Sequence, residues 1–547
     1  MIILEFLIFF LLSFISFISL AGYGLVYTAR YKFNILTSFF FGFIILGLLI
    51  TTIHFFYKIH LYINILILLI GVIFFFIKTK LNDLNIFNKK FFIYVLIFFA
   101  LIPIFLTHKY HEDFGYYHLP YLITLVEHKL IFGLANTNEA FIHNSLWLNI
   151  IGIHFLPEKN FDFVTLSTFL VYVCFIIFSF KKNFEISEKK VSNYFIIICL
   201  FYLILKFTRL SEFGNDIPAT IFSIFGIFYF LKFIEAKNLE KQYKFFFLNF
   251  AFTIFAILVK FSSLPLIFLT MYILLKNFRI LFKQILRIEF IIIYLLIFTF
   301  FIQQFFYTGC IIFPSKFSCL NVSWFNDEIL FLRKSLELTN KSYYNFSDIF
   351  SKAEYLKDFN WISFWFQRNI NEILEHLITI IIPIILFLFF SKQKEKKLLI
   401  FDEKKIFILF LSIYFIFWFK FSPVFRFAIP LFLSLIFILT INFFAYREIS
   451  KKIFIITFSI ALLFNFSKNT IRLSQKEEIY FGTEKVNNFF VKDKSSKNDF
   501  INVYKPDLKN NNGWQGRLCW DIPFLCSYNK ITVDQNNGYL FISKLRD

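Results

Sequence analysis

About fourteen apolar stretches follow one another along the 547-residue chain, and they limit its fold more than any other feature. They lie at residues 2–21, 34–56, 59–78, 90–106, 161–180, 191–206, 217–234, 245–259, 264–276, 288–306, 373–390, 406–420, 426–445 and 453–466. A helix needs about 20 apolar residues to cross the hydrocarbon core of a bilayer. Charged residues make up 17% of the chain, against about 25% in soluble domains, which excludes an ordinary soluble enzyme. The pattern predicts an all-α polytopic membrane protein with about 13 or 14 transmembrane helices.

The positions of the lysines and arginines predict how the chain is oriented in the membrane. The formal net charge is +20, and the basic residues concentrate in alternate loops at 30–32, 78–90, 181–190, 237–244, 276–287, 392–405 and 447–452. Loops rich in Lys and Arg remain on the cytoplasmic side. The excess charge therefore indicates orientation rather than nucleic-acid binding, and it predicts that the N-terminus and the C-terminal region are exterior.

Three larger hydrophilic segments then fall on the exterior side, at 107–160, 307–370 and 467–547. The cytoplasmic loops are too short to form a nucleotide-binding domain and carry no Gly-rich phosphate motif, so chemistry driven by cytoplasmic ATP is not expected. Residues 141–155 are apolar but interrupted by polar side chains, which predicts a re-entrant or interfacial segment. The tail is rich in Asn, Lys, Asp and Gly, which predicts a small exterior domain of α+β or irregular structure.

The first exterior segment contains residue types that catalysis uses. Glu112 and Asp113 are adjacent carboxylates soon after an apolar stretch. A partly desolvated carboxylate there can act as a general base, and a solvated loop charge or helix cap is the alternative. Apolar residues at helical spacing over 117–130 predict an interfacial helix beside them.

Histidines in the same segment raise the question of a metal. Six of the nine lie there, namely His108, His111, His118, His128, His143 and His154. Their spacing matches no standard ligand motif, which favours hydrogen-bonding histidines. A divalent cation held by Asp113 with His111 or His118 stays open as the alternative, and no other cofactor is indicated.

Four of the six cysteines form two closely spaced pairs in exterior segments. The pairs are Cys310 with Cys319 and Cys519 with Cys526. Disulfides persist in oxidising compartments, so two disulfides are predicted, with free thiols as the alternative. The other two cysteines lie in apolar stretches and are predicted to be core residues.

Several short motifs occur together in an order and spacing that is similar to a known superfamily. They are Asp113-Phe-Gly-Tyr-Tyr-His-Leu-Pro120, Gly133-Leu-Ala-Asn136, Asn144-Ser-Leu-Trp147, Asn215-Asp-Ile-Pro218, Lys260-Phe-Ser-Ser-Leu-Pro265, Thr308-Gly-Cys-Ile-Ile-Phe-Pro314, Pro423-Val-Phe-Arg-Phe427 and Cys519-Trp-Asp-Ile-Pro-Phe-Leu-Cys526. With these motifs the chain resembles the GT-C membrane glycosyltransferases, and more closely an uncharacterised family of bacterial polytopic proteins related to them. Leu525 departs from the pattern, which has Pro before the second Cys.

The extent of the resemblance implies a division of the chain. The motifs run from about residue 90 to the tail. This implies additional N-terminal transmembrane helices at 1–89, a GT-C-like core at 90–466 with exterior loops 107–160 and 307–370, and the small exterior domain at 467–547.

The resemblance also implies a function. It is transfer of a sugar from a polyprenyl-phosphate carrier to an envelope glycan, lipid or protein, on the outer face of the bacterial inner membrane. Asp113 would be the catalytic base, with Glu112 or Asp216 as a second acidic residue. The carrier phosphate would be bound by Arg209, Lys260 and Arg426, and the acceptor side would be lined by Tyr117 and His118. Plainer interpretations are a helix N-cap for Asp216 and snorkelling for the two cations at span ends.

Three other functions stay open on the sequence alone. A polymerase or ligase of surface polysaccharide would use the same lipid-linked sugars at the same face. A transporter or flippase of lipid-linked glycan should carry ionisable residues at the centres of its spans, which here are almost free of charge. A catalytically silent assembly protein would not depend on the carboxylates for activity.

Overall fold

The structure is a computed structural model that is predominantly α-helical. It describes residues 2–79, 89–109, 113–155, 163–184, 190–207, 210–211, 214–312, 315–328, 341, 359–393, 403–444, 447–475, 495–497, 502–504, 518–519 and 525–544. The helices are, in chain order, α1 (Ile2–Thr28), α2 (Ile35–His54), α3 (Leu61–Lys78), α4 (Lys89–Leu106), α5 (Leu119–Glu127), α6 (Leu146–Ile151), α7 (Leu166–Phe184), α8 (Val191–Lys206), α9 (Asp216–Glu235), α10 (Leu239–Val259), α11 (Ile267–Lys276), α12 (Phe278–Ile285), α13 (Ile288–Thr308), α14 (Trp361–Phe390), α15 (Lys404–Phe421), α16 (Ile429–Phe444) and α17 (Lys451–Ser474).

Each of the fourteen apolar stretches coincides with one of these helices. Within the described ranges, nine helices are long and apolar enough to cross a membrane, and α11 with α12 forms a bent pair that would add a tenth. Three further apolar helices are shorter, namely α4, α8 and α16. The chain is therefore a multi-pass membrane protein, and a count of 13 or 14 crossings stays a prediction.

The two largest differences from the predicted helix boundaries are in α14 and α17. Helix α14 begins at Trp361 rather than at residue 373, and α17 continues to Ser474 rather than ending at 466. The added turns mix polar and apolar residues, so a hydropathy average ends before the helix does. Helix α12 turns by 115° from α11 at Asn277. The earlier start of α14 adds Glu372, which lies before the apolar stretch, to this helix.

Helices α9 and α10 form a buried antiparallel pair. Every residue of α9 from Ile217 to Leu231 is buried. The rings of Phe222 and Phe255 have centroids 4.4 Å apart, and Asn249 Nδ2 donates to the carbonyl of Gly226 at 2.8 Å. Because the two helices run in opposite directions, the first residue of α9 lies beside the residue that follows α10.

The N-terminal helices pack closely on one another and on the rest of the bundle. A Cβ on Gly22 of α1 would stand 1.9 Å from the carbonyl oxygen of Gly71 in α3, so the two backbones are in direct contact there. Close approach through small residues is a common way for membrane helices to associate. Helix α2 then contacts the buried pair, since the rings of Phe40 and Phe225 have centroids 4.5 Å apart.

The described part of 107–160, the first segment predicted to be exterior, contains short helices that are buried in protein. The helix predicted at 117–130 is present as α5, but its residues from Leu119 to Val126 are all buried. Helix α6 and the turn after it pack against α5, and the position of α5 at the membrane interface stays a prediction. Helix α6 has six residues, too few to cross a bilayer.

The polar residues that interrupt 141–155 bind other side chains in the interior. His154 lies between Ser16 and Ser167, with oxygen–nitrogen distances of 2.8 and 2.9 Å. Asn149 donates to Thr51 and accepts a hydrogen bond from Tyr121. These groups therefore join residues 141–155 to α1, α2, α5 and α7.

The described strands are short, namely β1 (His108–Lys109), β2 (Leu210–Ser211), β3 (Lys392–Gln393), β4 (Arg447–Glu448), β5 (Ser495–Lys497), β6 (Asn502–Tyr504), β7 (Leu525–Cys526), β8 (Ile531–Asn536) and β9 (Tyr539–Lys544). Strands β8 and β9 form an antiparallel hairpin, and Phe541 bridges to Phe132 in the first exterior segment. Both predicted disulfides are present, Cys310–Cys319 and Cys519–Cys526, while Cys174 and Cys199 are buried free thiols. The tail hairpin is thus attached to the segment that carries Asp113.

Candidate functional site

A parallel strand pair brings the two predicted carboxylate segments side by side. Strand β1, just before Asp113, pairs with β2, just before Asp216, and aligns His108 with Leu210. After β1 the chain forms a π-helical turn over Phe114–His118 that continues into α5. Single π turns are frequent at functional sites. The pairing therefore places Asp113 next to the start of α9.

Asp216 and Lys260 meet because α9 and α10 are antiparallel. Asp216 is the first residue of α9, and Lys260 follows the last residue of α10. The Lys260 ammonium forms an ion pair with Asp216 Oδ1 and lies 3.6 Å from the centroid of the Phe427 ring. The side chain of Lys260 is only 18% exposed and its charge is paired, so this lysine does not extend its ammonium into water as a snorkelling lysine would.

Arg426 lies between the two carboxylates. Its Nη2 is 3.7 Å from Asp113 Oδ2, and its Nε is 3.5 Å from Asp216 Oδ2. It is in a short turn between α15 and α16. Two indole groups fix this turn, because Trp365 donates to the carbonyl of Pro423 at 2.6 Å and Trp418 to that of Val424 at 2.9 Å.

Hydrogen bonds behind the charged residues join three of the sequence motifs. Asn215 Nδ2 donates to Ser145 Oγ at 3.1 Å and to the carbonyl of Val259 at 3.2 Å. Ser145 Oγ also donates to the Val259 carbonyl, at 2.7 Å. The residues before Asp216 and Lys260 are thereby held against residues 141–155.

Among the described residues, this site pairs carboxylates with cations beside neutral histidines. Burial lowers the pKa of His118 to about 4, so its imidazole is uncharged at neutral pH. Burial and the nearby Lys260 lower the pKa of His143. Burial also lowers the pKa of Lys260, although Asp216 opposes this effect. In the described part of the site, Asp113 and Asp216 therefore face Lys260 and Arg426, with neutral imidazole groups nearby.

The structure brings together most of the residues that the sequence analysis singled out. Asp113, Asp216, Lys260 and Arg426 form one cluster, which we name the carboxylate–cation site. Tyr117 and His118 adjoin it, with ring centroids 4.2 Å apart, and the phenol of Tyr117 acts electrostatically on Arg426. Glu112, His111 and Arg209 lie outside the described residues.

Sequence reasoning missed an acidic residue near Arg426. Burial lowers the pKa of Arg426, but Asp216, Asp113 and Glu372 raise it, with a net increase. Glu372 is 3.7 Å from His376, whose other ring nitrogen is 2.6 Å from Tyr202 Oη. The signal was present as Glu372 and His376, four residues or one helical turn apart, but Glu372 lies just before the apolar stretch 373–390.

The described residues contain no group of three or more His, Cys, Asp and Glu side chains that could hold a metal ion. At the carboxylate–cation site the near neighbours of the carboxylates are cations. Within the described residues the site therefore fits an anion better than a divalent cation.

Comparison with known proteins gives a family. Residues 1–433 match the family described as Domain of unknown function (DUF8201). The chain belongs to this family. The DUF8201 match includes α1–α3 and all four residues of the carboxylate–cation site. No curated protein and no solved structure matches the chain.

Proposed function

We propose that this protein is an integral-membrane glycosyltransferase of GT-C type, which moves a sugar from a polyprenyl-phosphate carrier to an envelope glycan, lipid or protein. The observation that supports this most is the convergence of Asp113, Asp216, Lys260 and Arg426 at one end of the bundle. A base and a phosphate-binding pair are what this reaction requires. The proposed location is the outer face of the bacterial inner membrane.

In the proposed reaction Asp113 accepts the proton of the acceptor hydroxyl. The hydroxyl oxygen forms a bond to the anomeric carbon while the bond from that carbon to the phosphate oxygen breaks. Negative charge develops on the departing polyprenyl phosphate, and Lys260 and Arg426 stabilise it. Arginine suits this task because its guanidinium binds phosphate through two parallel hydrogen bonds.

Asp216 has a positioning role in this proposal. It contacts both cations, through Lys260 Nζ and Arg426 Nε. The side chain of Arg426 is 44% exposed, so an incoming phosphate can reach it without breaking the bundle. Neutral His118 lines the acceptor side as a hydrogen-bonding group rather than a charge.

The test is transfer by purified protein in proteoliposomes that contain a radiolabelled polyprenyl-phosphate hexose and envelope-lipid extract. Asp113→Asn should lower the transfer rate by at least about 100-fold, the usual contribution of a general base. The matched control is Asp534→Asn, the same chemical change at an exposed position of the tail hairpin. It should keep the wild-type rate.

Other outcomes would identify a different function. Full transfer by folded Asp113→Asn would show that the base assignment is wrong. Flux of the lipid-linked sugar without glycan product would favour a transporter or flippase. Extension of an existing polymer would favour the surface-polysaccharide polymerase or ligase, which uses the same chemistry on another acceptor.

A further inference from the structure

A second cluster of cations lies at the opposite ends of α9 and α10. A cavity of about 700 Å³ opens there, lined by Lys32, Phe33, Asn34, Thr37, Lys182, Lys190, Phe228, Tyr229, Lys232, Glu235, Ala236, Lys237, Asn238, Lys241, Lys244 and Phe245. We name it the basic cavity. Asp216 and Glu235 are the two ends of α9, and a helix of 20 residues spans about 30 Å. The basic cavity is thus distinct from the carboxylate–cation site.

The charges that line the basic cavity are strongly unbalanced. Seven lysines and one glutamate line it among the described residues. The carboxylate of Glu235 already accepts hydrogen bonds from the backbone and hydroxyl of Ser192, at 2.8 and 2.7 Å, and lies 3.5 Å from Lys232. Like charges around one space repel each other, and an anion in that space relieves the repulsion.

The positive-inside rule explains why lysines are on this side, but it does not explain why they surround one cavity. They come from the turn before α2, from α7, α9 and α10, and from the residues just before α8 and α10, so they converge from separate parts of the chain. Lys181, the neighbour of Lys182, does not line the cavity. The convergence is therefore selective.

The backbone contributes both helix beginnings and helix ends at the cavity. Helices α2, α8 and α10 all begin at the cavity, where Asn34, Lys190 and Asn238 are the residues that precede them. Helix N-termini attract anions, and the ends of α7 and α9 at the same place offset part of this effect. The helical turn Ala29–Tyr31 after α1 also ends there, beside Lys32, so three helix beginnings face three helix ends and the preference for an anion rests on the lysines.

The shape of the cavity indicates what the anion is attached to. Four aromatic rings, those of Phe33, Phe228, Tyr229 and Phe245, form part of its wall. Pockets for small molecules commonly have volumes of about 300–1,000 Å³ and combine apolar walls with a few polar groups. A phosphate group that carries an organic moiety fits both features.

We propose that the basic cavity binds a ligand that bears a phosphate or diphosphate group, either an anionic lipid headgroup or a soluble phosphorylated molecule. Its lysines bind the phosphate and its aromatic wall holds the attached group. The inference does not depend on the proposed transfer reaction, because the two sites share no residue.

The experiment measures binding of inorganic pyrophosphate to the full-length protein in nonionic detergent at about 150 mM salt, which screens diffuse surface attraction. The variant combines Lys182→Gln, Lys190→Gln and Lys241→Gln. The control combines Lys181→Gln, Lys283→Gln and Lys405→Gln, an equal loss of charge on the same predicted side. We expect the dissociation constant to rise at least tenfold in the first protein and less than twofold in the control.

A second arm distinguishes the two sources of phosphate. The protein is placed in nanodiscs of phosphatidylcholine with or without phosphatidylglycerol, and pyrophosphate binding is measured again. Competition by phosphatidylglycerol, lost in the cavity variant, supports a lipid headgroup. Equal pyrophosphate binding in both nanodiscs supports a soluble ligand. Equal loss of affinity in both triple variants overturns the proposal, as does wild-type protein that binds neither pyrophosphate nor phosphatidylglycerol.

Discussion

Replacement of Gly133 by alanine should detach the C-terminal hairpin from the segment that carries Asp113. Gly133 has a φ of +74°, in the left-handed region that costs other residues roughly 1–2 kcal/mol. A Cβ there would stand 2.1 Å from the carbonyl oxygen of Ile542 and 2.7 Å from the Trp324 Cβ. Strand β9 therefore has to move away.

The magnitude follows from the hydrogen bonds that this movement breaks. Phe132 N donates to Leu540 at 2.9 Å, Ile542 N donates to Phe132 at 2.8 Å, and Asn136 Nδ2 donates to Ile542 at 2.9 Å. At about 1 kcal/mol for each bond, with the strain added, docking of the hairpin should weaken by about 4–5 kcal/mol. This corresponds to about three orders of magnitude in the docking equilibrium.

The assay is hydrogen exchange measured by mass spectrometry on peptides from 531–544. The matched control is Gly538→Ala in the hairpin turn, where φ is +72° but the nearest atom to a Cβ is Lys129 Nζ at 3.2 Å, the end of a flexible side chain. Gly538→Ala therefore has the same backbone strain of a positive φ, but its new Cβ does not clash with another backbone. Similar exchange rates in the two variants would refute the reasoning.

Release of the hairpin should also affect the carboxylate–cation site. Tyr528 N donates to the carbonyl of Thr137 at 2.9 Å, and the ring of Tyr528 contacts that of Tyr116 at 5.1 Å. Tyr116 is in the π-helical turn that begins one residue after Asp113. Under the proposed function, Gly133→Ala should therefore reduce transfer more than Gly538→Ala does.

Three further predictions concern the site and the cysteines. Arg426→Lys should lower the transfer rate at least tenfold, because one ammonium cannot contact Asp113 and Asp216 as the guanidinium does. Arg426→Gln should lower the transfer rate further. Equal transfer rates for Arg426→Lys and the wild type would contradict this prediction. Thiol labelling of denatured protein should find two reactive cysteines without reductant and six with it, whereas four or more without reductant would exclude the two disulfides. Burial lowers the pKa of His118 from an ordinary 6.5 to about 4, so between these pH values the unfolded state binds the proton more readily than the folded state. The free energy of unfolding should therefore rise with pH, by about 3 kcal/mol in all, and the rise is complete above pH 6.5. This rise should be absent when the free energy of unfolding of His118→Gln is measured against pH.

The sequence was sufficient for the helical framework because the bilayer imposes a length and a composition on each span. All fourteen apolar stretches coincide with helices for that reason. The start of α14 could not be found in the same way, since residues 361–372 mix Trp and Phe with Arg and Asn. Their helix is stabilised by contacts such as Trp365 with Pro423, which a local average does not contain.

The grouping of the site residues could be predicted for a simple physical reason. Asp216, Lys260 and Arg426 all lie where spans end on the predicted exterior side, so they share one membrane face. Which of them touch depends on helix neighbours, and this required the structure. Burial of α5 could not be predicted either, because the residues that cover it come from α6 and from the turn after it.

The arrangement of charges also distinguishes the roles of the two carboxylates. Asp216 contacts both cations, and loss of its charge would leave Lys260 buried beside Arg426 without compensation, which commonly costs several kcal/mol. Asp113 Oδ2 is 3.7 Å from Arg426, beyond hydrogen-bond distance, so a proton on Asp113 disturbs the cluster less. An incoming phosphate brings negative charge toward the two cations, and that charge makes protonation of a neighbouring carboxylate easier. Under the proposed function, donor binding and proton uptake by Asp113 therefore favour each other, while Asp216 keeps the cations in place.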